Sequence, residues 1–240
     1  MARIDIALVE RGLFPSRAKA REAIEAGLVA VDGRKVAKPS EPVAPDAQIE
    51  ASAPYEWVSR GGVKLAAALD AFAIDPQGLA CLDIGASTGG FAHVLLSRGA
   101  RSVTCVDVGT GQLHPTIAAD ARVKAMEQTD ARKLLATDLP EAPALIVIDV
   151  SFISLDRILP HVLPLAAPGA KLVALIKPQF EAGLEHVKKG LVRDEKVHAR
   201  VCEKIETLVA ECGWRRIGLI ASPIAGGEGN REFLIGAERL

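Results

Sequence analysis

Residues 81–91 read CLDIGASTGGF. An apolar run carrying the acid Asp83 leads into a turn with glycines at 85, 89 and 90, and a helix is predicted to begin near Gly90 and Phe91. Glycines let a backbone pass close to a ligand, and the carboxyl ends of strands in open α/β sheets are where ligands bind. The loop is not a dinucleotide fingerprint, because Ser87 stands where the second glycine of GxGxxG belongs. It also lacks the GK[ST] of a phosphate-binding P-loop. A purely structural strand-to-helix turn is the alternative reading.

Outward from this stretch, residues 80–84, 102–108, 144–150 and 171–177 are apolar runs separated by helical patterns. They do not alternate apolar with polar, as expected of strands covered on both faces. The prediction is therefore an α/β fold with a mostly parallel sheet. Residues 215–221 and 232–236 read as two further strands joined by SPIAGGEGNR, a connection short enough for an antiparallel pair. Ahead of the sheet, prolines at 39, 42, 45 and 54 interrupt regular structure around one short strand near residues 48–51. The reading is a small α+β domain over 1–52, a linker over 53–57 and a larger domain over 58–240.

The composition of the 240 residues, 49% hydrophobic and 25% charged, excludes wholesale disorder. Lys and Arg total 29 against 30 Asp and Glu, a net charge of −1, so the chain is no bulk polycation, although a local basic patch remains open. Cys81, Cys105, Cys202 and Cys212 form no CxxC pair, and reduced core cysteine is expected. The five histidines have no ligand spacing, so no metal is assigned. The start, MARIDIALVERG, lacks a signal peptide's apolar stretch, and no run approaches the roughly 20 apolar residues that span a bilayer. A cytoplasmic protein without a membrane partner is expected. Trp57, Trp214 and Phe152 are too few for a base-stacking platform and are expected to pack in a core or an interface.

The first 38 residues hold eight Lys/Arg and five Asp/Glu. Pro15-Ser16 opens a helix with Ser16 as N-cap, and Gly27 closes it. Asp32-Gly33 supplies the tight turn of the hairpin LVAVDGRKV. Arg17 and Arg21 are four apart on one helical face, and Arg34 and Lys35 follow the turn. Such cations suit a phosphate backbone, and a solvated basic face is the alternative. Residues 181–198, with Lys188, Lys189 and Arg193, read as a substrate-gripping loop or a plain surface loop.

At the strand ends stand more chemistry-bearing residues. Asp107 can accept hydrogen bonds from both hydroxyls of a ribose, a device that NAD proteins share. Asp130, after a further short strand, suits an adenine amino group or a surface helix cap. Asp149 ends a very apolar strand in VIDVSF, and Lys177 ends another in LIKPQFE. A lysine there is costly to bury without a partner, and Asp149 is the expected one. Lys64 in VSRGGVKL and Glu232 in GNREFL are weak signals alone.

Taken together these motifs carry resemblances. Residues 2–50 resemble the S-four-type RNA-binding domain shared by a small-subunit ribosomal protein, pseudouridine synthases and a tyrosyl-tRNA synthetase. CLDIGASTGGF resembles motif I of the Rossmann-like S-adenosylmethionine-dependent methyltransferases, which implies that Asp83, Gly85, Ser87, Thr88, Gly89, Gly90 and Phe91 hold the methionine moiety of that cofactor. Lys64, Asp149, Lys177 and Glu232 match the Lys-Asp-Lys-Glu tetrad of FtsJ-like ribose 2′-O-methyltransferases. With VDVGTGQL and KGLVRD added, nearly the whole chain looks like the TlyA family. The resemblance implies methylation of a cytidine 2′-hydroxyl in ribosomal RNA, free or in a subunit. The large-subunit RNA is the expected target, with the small-subunit RNA a second target in part of the family, and the short termini resemble the single-site group. Lys177 would act as general base or by electrostatics. Three alternatives stay open at this point: an NAD-type oxidoreductase, a non-catalytic ribosome-assembly protein on the same fold, and a membrane-lytic protein, which no amphipathic basic helix supports.

Overall fold

The computed structural model describes residues 1–226 and 229–240. Gly227 and Glu228, inside the glycine-rich connection expected between the last two strands, lie outside the described residues. The chain divides into two compact units, Met1–Glu56 and Trp57–Leu240.

The first unit is built from β1 (Ala2–Arg3), α1 (Ile4–Glu10), α2 (Arg17–Glu25), β2 (Val29–Val31), β3 (Arg34–Lys35), β4 (Pro42–Val43) and β5 (Ile49–Ala51). Ser16 caps α2 by accepting from the Lys19 backbone N–H, which would otherwise lack a partner at a helix start. Asp32 and Gly33 both take positive φ, 47° and 76°, as the turn between β2 and β3 requires. Ile4, Leu8, Phe14, Ile24, Val29 and Val43 form its small core.

The second unit runs α3 (Gly61–Ala71), β6 (Ala80–Ile84), α4 (Gly90–Ser97), β7 (Ser102–Val106), α5 (Pro115–Ala118), β8 (Val123–Met126), β9 (Leu145–Ile148), α6 (Leu159–Val162), β10 (Lys171–Ile176), α7 (Pro178–Glu181), α8 (Glu195–Glu211), β11 (Trp214–Ala221) and β12 (Phe233–Arg239). Its seven strands lie in the order β11-β12-β10-β9-β6-β7-β8. Strands β6 to β10 pair in parallel, and β12 runs antiparallel to both its neighbours, β10 and β11. The α/β sheet with one reversed strand is the one expected from the apolar runs.

Successive strand residues feed opposite cores, as the period of two demands. Leu82, Ile84, Ile146, Ile148, Leu172 and Ile176 pack with α6 and α8. Cys81, Leu145, Val147, Val173, Leu175 and Leu234 pack with α3 and α4. Helix α8 turns Val197, Val201, Ile205 and Val209 inward at four-residue spacing, and Asp194 caps its start. The basic segment is therefore shorter than its sequence suggests, because helix begins at Glu195. Trp214 packs in a core as expected. All four cysteines are free. Among the described residues, no helix is long and apolar enough to cross a membrane.

Gly218 and Gly236 face each other across β11 and β12, and the Phe72 ring lies on their bare backbone. A methyl group at 236 would sit 2.5 Å from that ring. Gly236→Ala is therefore expected to destabilise the protein by about 1–3 kcal/mol through overpacking. An unshifted denaturant midpoint would show that the ring has room to move.

Candidate active site

From β6 the chain winds one way to β7 and β8, then resumes on the other side with β9 and β10. The carboxyl ends of β6 and β9 therefore flank a topological switch point, where open sheets bind ligands. Two neighbouring cavities open here. One of about 180 Å³ is lined by Ser59, Gly61, the turn residues 85–88, Gly90, Phe91, Asp149, Ser151 and Lys177. The other, about 370 Å³, is lined by Asp107, Val108, Gln112, Thr129, Ala131 and Phe152 among others. They share Gly85, Ser87, Asp149 and Ser151 as walls. Gly85 has φ of +80°, and a Cβ there would collide with the carbonyl oxygen of Asp149. The turn can lie against β9 only without a side chain.

Asp107 fixes the turn. Its Oδ2 accepts from the Ser87 N–H at 2.8 Å and its Oδ1 from the Gly109 N–H at 2.8 Å. Asp83 lies fully buried behind the turn, with no aligned donor on either oxygen. Burial and then the Asp149 carboxylate push its pKa up to about 8, and the Ala92 N–H offsets this only in part.

Two ion pairs close the other side. Lys64 of α3 meets Glu232 Oε2 at 2.5 Å, with both side chains almost wholly buried. Lys177 Nζ lies 2.6 Å from Asp149 Oδ1 and donates to Ser151 Oγ at 2.8 Å. The contact with Asp149 is Coulombic, while the aligned hydrogen bond goes to the serine. The strands bring the pairs together. Ile176 of β10 is opposite Phe233 of β12, so Lys177 and Glu232 are the next residues past that rung. Glu181 ties the segment after β9 to α7, accepting from Ser154 Oγ at 2.5 Å and the Leu155 N–H at 2.7 Å.

Family profiles match this arrangement: FtsJ-like methyltransferase over residues 57–239, and S4 domain over residues 2–49. The chain belongs to the FtsJ-like methyltransferase family. It is 45% identical to YqxC of Bacillus subtilis over 97% of its own length and 84% of that protein's. It is 44% identical to the 16S/23S rRNA (cytidine-2′-O)-methyltransferase TlyA of Mycobacterium tuberculosis, covering 98% of this chain and 88% of that one. A solved hemolysin-like protein from Streptococcus thermophilus superposes with a TM-score of 0.80 at 41% identity, covering 99% of this chain and 88% of the other.

Within the FtsJ-like unit, Gly85, Ser87, Thr88, Gly90, Phe91, Asp107, Asp149 and Lys177 line the cavities. Gly89 caps α4 instead, and Lys64 and Glu232 support the wall from behind as a buried pair. Two more of the expected cofactor residues lie off the cavity walls. Asp83 is not a wall residue, because its side chain points into the protein beneath the turn. Asp130 does not face the cavity either: it caps the short helix Ala131–Lys133 and pairs with Arg132 at 2.7 Å, leaving Thr129 and Ala131 as the wall.

Phe152, expected to pack in a core or an interface, is 91% exposed. Its backbone has φ of +63°, which throws the ring outward against Phe180, with centroids 5.1 Å apart. Ser59, Gly61 and Ser151 were also missed. Their signal was present, since Ser59 and Gly61 lie inside VSRGGVKL and Ser151 inside VIDVSF.

Lys188 and Lys189 lie in a tight turn bridged between Lys188 and Leu191, and with Arg193 they are exposed. Asn230 holds this turn, donating to the Gly190 carbonyl at 2.8 Å and accepting from the Val192 N–H at 3.2 Å. In the S4 unit, Arg17 and Arg21 are both bound to Asp5, Arg34 pairs with Glu41 at 3.0 Å, and Lys35 is exposed.

The buried Asp83 has a measurable consequence. Its folded pKa, about 8, lies above the ordinary 3.8, so the fold favours the protonated form. That stabilisation is complete below the ordinary value, declines as the pH rises past it, and is gone above about 8. Asp83→Asn, neutral at every pH, is expected to remove this decline. Denaturant unfolding between pH 5 and 8 measures it, and an equal slope in both proteins would refute the assignment.

Proposed function

We propose that this protein transfers a methyl group from S-adenosylmethionine to the 2′-hydroxyl of a cytidine in ribosomal RNA. The observation that carries the reading is the Lys177–Asp149 pair on the wall of the cavity that the glycine turn lines. The sequences of TlyA and its relatives give it a substrate class.

The residues present fit the donor. Gly85 and Gly90 leave bare backbone where an extended ligand must pass, and Asp107 stands where a ribose would lie. Asp83, raised by burial and by Asp149, would be relieved by a cationic ligand nearby. When bound, S-adenosylmethionine supplies a sulfonium-activated methyl group for in-line displacement by an oxygen nucleophile.

The protein's own part is orientation and charge. A ribose hydroxyl is a poor nucleophile until its proton is leaving, and alignment of the reacting atoms can supply as much as ~7–11 kcal/mol. Lys177, paired with Asp149 and hydrogen-bonded to Ser151, has three N–H groups and can turn one of the others on the 2′-oxygen. It thereby steers a lone pair and stabilises the developing alkoxide. Lys64 and Glu232 hold the end of β12 and α3 in place behind it. Phe152, exposed on the rim of the larger cavity, offers a π-face to the base. Lys188, Lys189 and Arg193 stand ready for backbone phosphates, and Arg34 and Lys35 do so in the S4 unit.

Lys177→Ala is expected to lower methyl transfer by about 10²-fold or more while donor binding, read by calorimetry, persists. Mapping 2′-O-methylated nucleotides in both ribosomal RNAs, from cells with the gene, without it and with the variant, tests the whole reading. No site lost on deletion, or near-normal methylation with the alanine variant, would sink it.

A further inference from the structure

The S4 unit carries an arrangement that the catalytic reading does not use. Asp5 sits in the first turn of α1 with no exposed surface. Three guanidiniums converge on it. Arg3 donates from Nε to Oδ1 at 2.9 Å and from Nη2 to Oδ2 at 3.2 Å. Arg17 donates from Nε at 3.3 Å and from Nη2 at 2.9 Å, and Arg21 from Nε at 3.2 Å, all to Oδ2. The arginines come from two places, β1 and one face of α2, where Arg17 and Arg21 are a helical turn apart. Their side chains remain 45%, 49% and 46% exposed, so each fork has an inner edge on Asp5 and an outer edge in solvent.

One carboxylate cannot neutralise three cations. Opposed by burial, which acts to raise it, Asp5 is nonetheless held far below the ordinary carboxylate range by hydrogen bonds from Arg3, Arg17 and Arg21. It stays ionised, and two positive charges remain in surplus over a small surface. The surplus is local. Met1–Glu56 holds eight Lys/Arg and nine Asp/Glu, so the unit's net charge attracts no polyanion. An RNA grip here must come from arrangement.

The geometry points to a phosphate-binding trident, in which Asp5 is a positioning residue that presents Arg3, Arg17 and Arg21 as preformed forks to the RNA backbone. This inference rests on the proposed RNA substrate. Guanidinium forks match phosphate oxygens in pairs, which an ammonium does not. Ordering three long side chains beforehand removes an entropy cost that binding would otherwise bear. Arg3, not singled out in the sequence, belongs to the site, and Arg17 and Arg21 act as members of a unit.

Deleting the negative charge of Asp5 separates this from simple electrostatics. If the arginines were independent surface cations, Asp5→Asn would raise the local positive charge and tighten RNA binding. If Asp5 presents the forks, the same change weakens binding, by about tenfold. The assay uses the full chain with deproteinised large-subunit ribosomal RNA over a salt series. A second variant, Arg3→Lys with Arg17→Lys, keeps Asp5 and every charge. It is expected to bind about tenfold more weakly with the salt slope of the original protein, because the count of phosphate contacts is unchanged. Circular dichroism checks the fold, and the double lysine variant decides the matter if Asp5→Asn unfolds the unit. Binding by a folded Asp5→Asn protein that is unchanged or tighter overturns the trident, as does original affinity in the lysine variant. If the unaltered protein fails to bind RNA, the substrate reading falls and the trident with it.

Discussion

Charge taken out of water is expensive unless a partner comes with it, and the carboxyl edge of this sheet holds four ionisable side chains in two close pairs. Lys64–Glu232 is the deeper pair. Removing either member of such a pair leaves an uncompensated buried charge and typically costs about 3–5 kcal/mol. The pair therefore fixes α3 against the head of β12, and β12 in turn is zipped to β10 through six rungs that end beside Lys177. The position of the cavity-lining lysine is thus inherited from the one behind it. A hydrophobic substitute could hold the same elements together, but it would not place an acid next to the strand end where Lys177 emerges.

The parallel sheet explains why the site lies where it does. Strands β6, β7 and β9 all end on one edge, and each end delivers one acid or turn: Asp83 with Gly85, Asp107, and Asp149. Asp107 spends both oxygens on backbone N–H groups, so its first task is to shape the turn. The Asp149 carboxylate adds to burial in disfavouring the charge of Asp83, which lies beneath the glycine turn. Glu181 ties the Ser151–Leu155 segment to the helix after Lys177, so the loop carrying Ser151 and Phe152 moves with the lysine.

Much of this was legible in the chain. Apolar runs without alternation marked the buried strands, and glycine-rich turns after an acid marked the ligand edge. The motif residues at strand ends were found because a strand end is a local property. What escaped depends on tertiary direction. Phe152 looked like any lone aromatic, and only its left-handed backbone turns the ring outward. Asp130 looked like a ligand-facing acid because its sequence position is right, yet Arg132, two residues on, takes its carboxylate. Arg17 and Arg21 were visible as a basic face. Their bond to Asp5, twelve and sixteen residues away, could not be read from helical spacing.

The two units use one device in different proportions. At the carboxyl edge of the FtsJ-like sheet, Lys64 and Lys177 are each matched by one acid, so these pairs add no net charge and serve orientation. In the S4 unit three arginines share one acid, and the imbalance is stable only because the outer edges stay in water. A matched pair resists the entry of another ion, whereas a surplus invites one. The ratio of acid to base therefore distinguishes the two clusters. It does so without reference to the net charge of −1, in which both are averaged away.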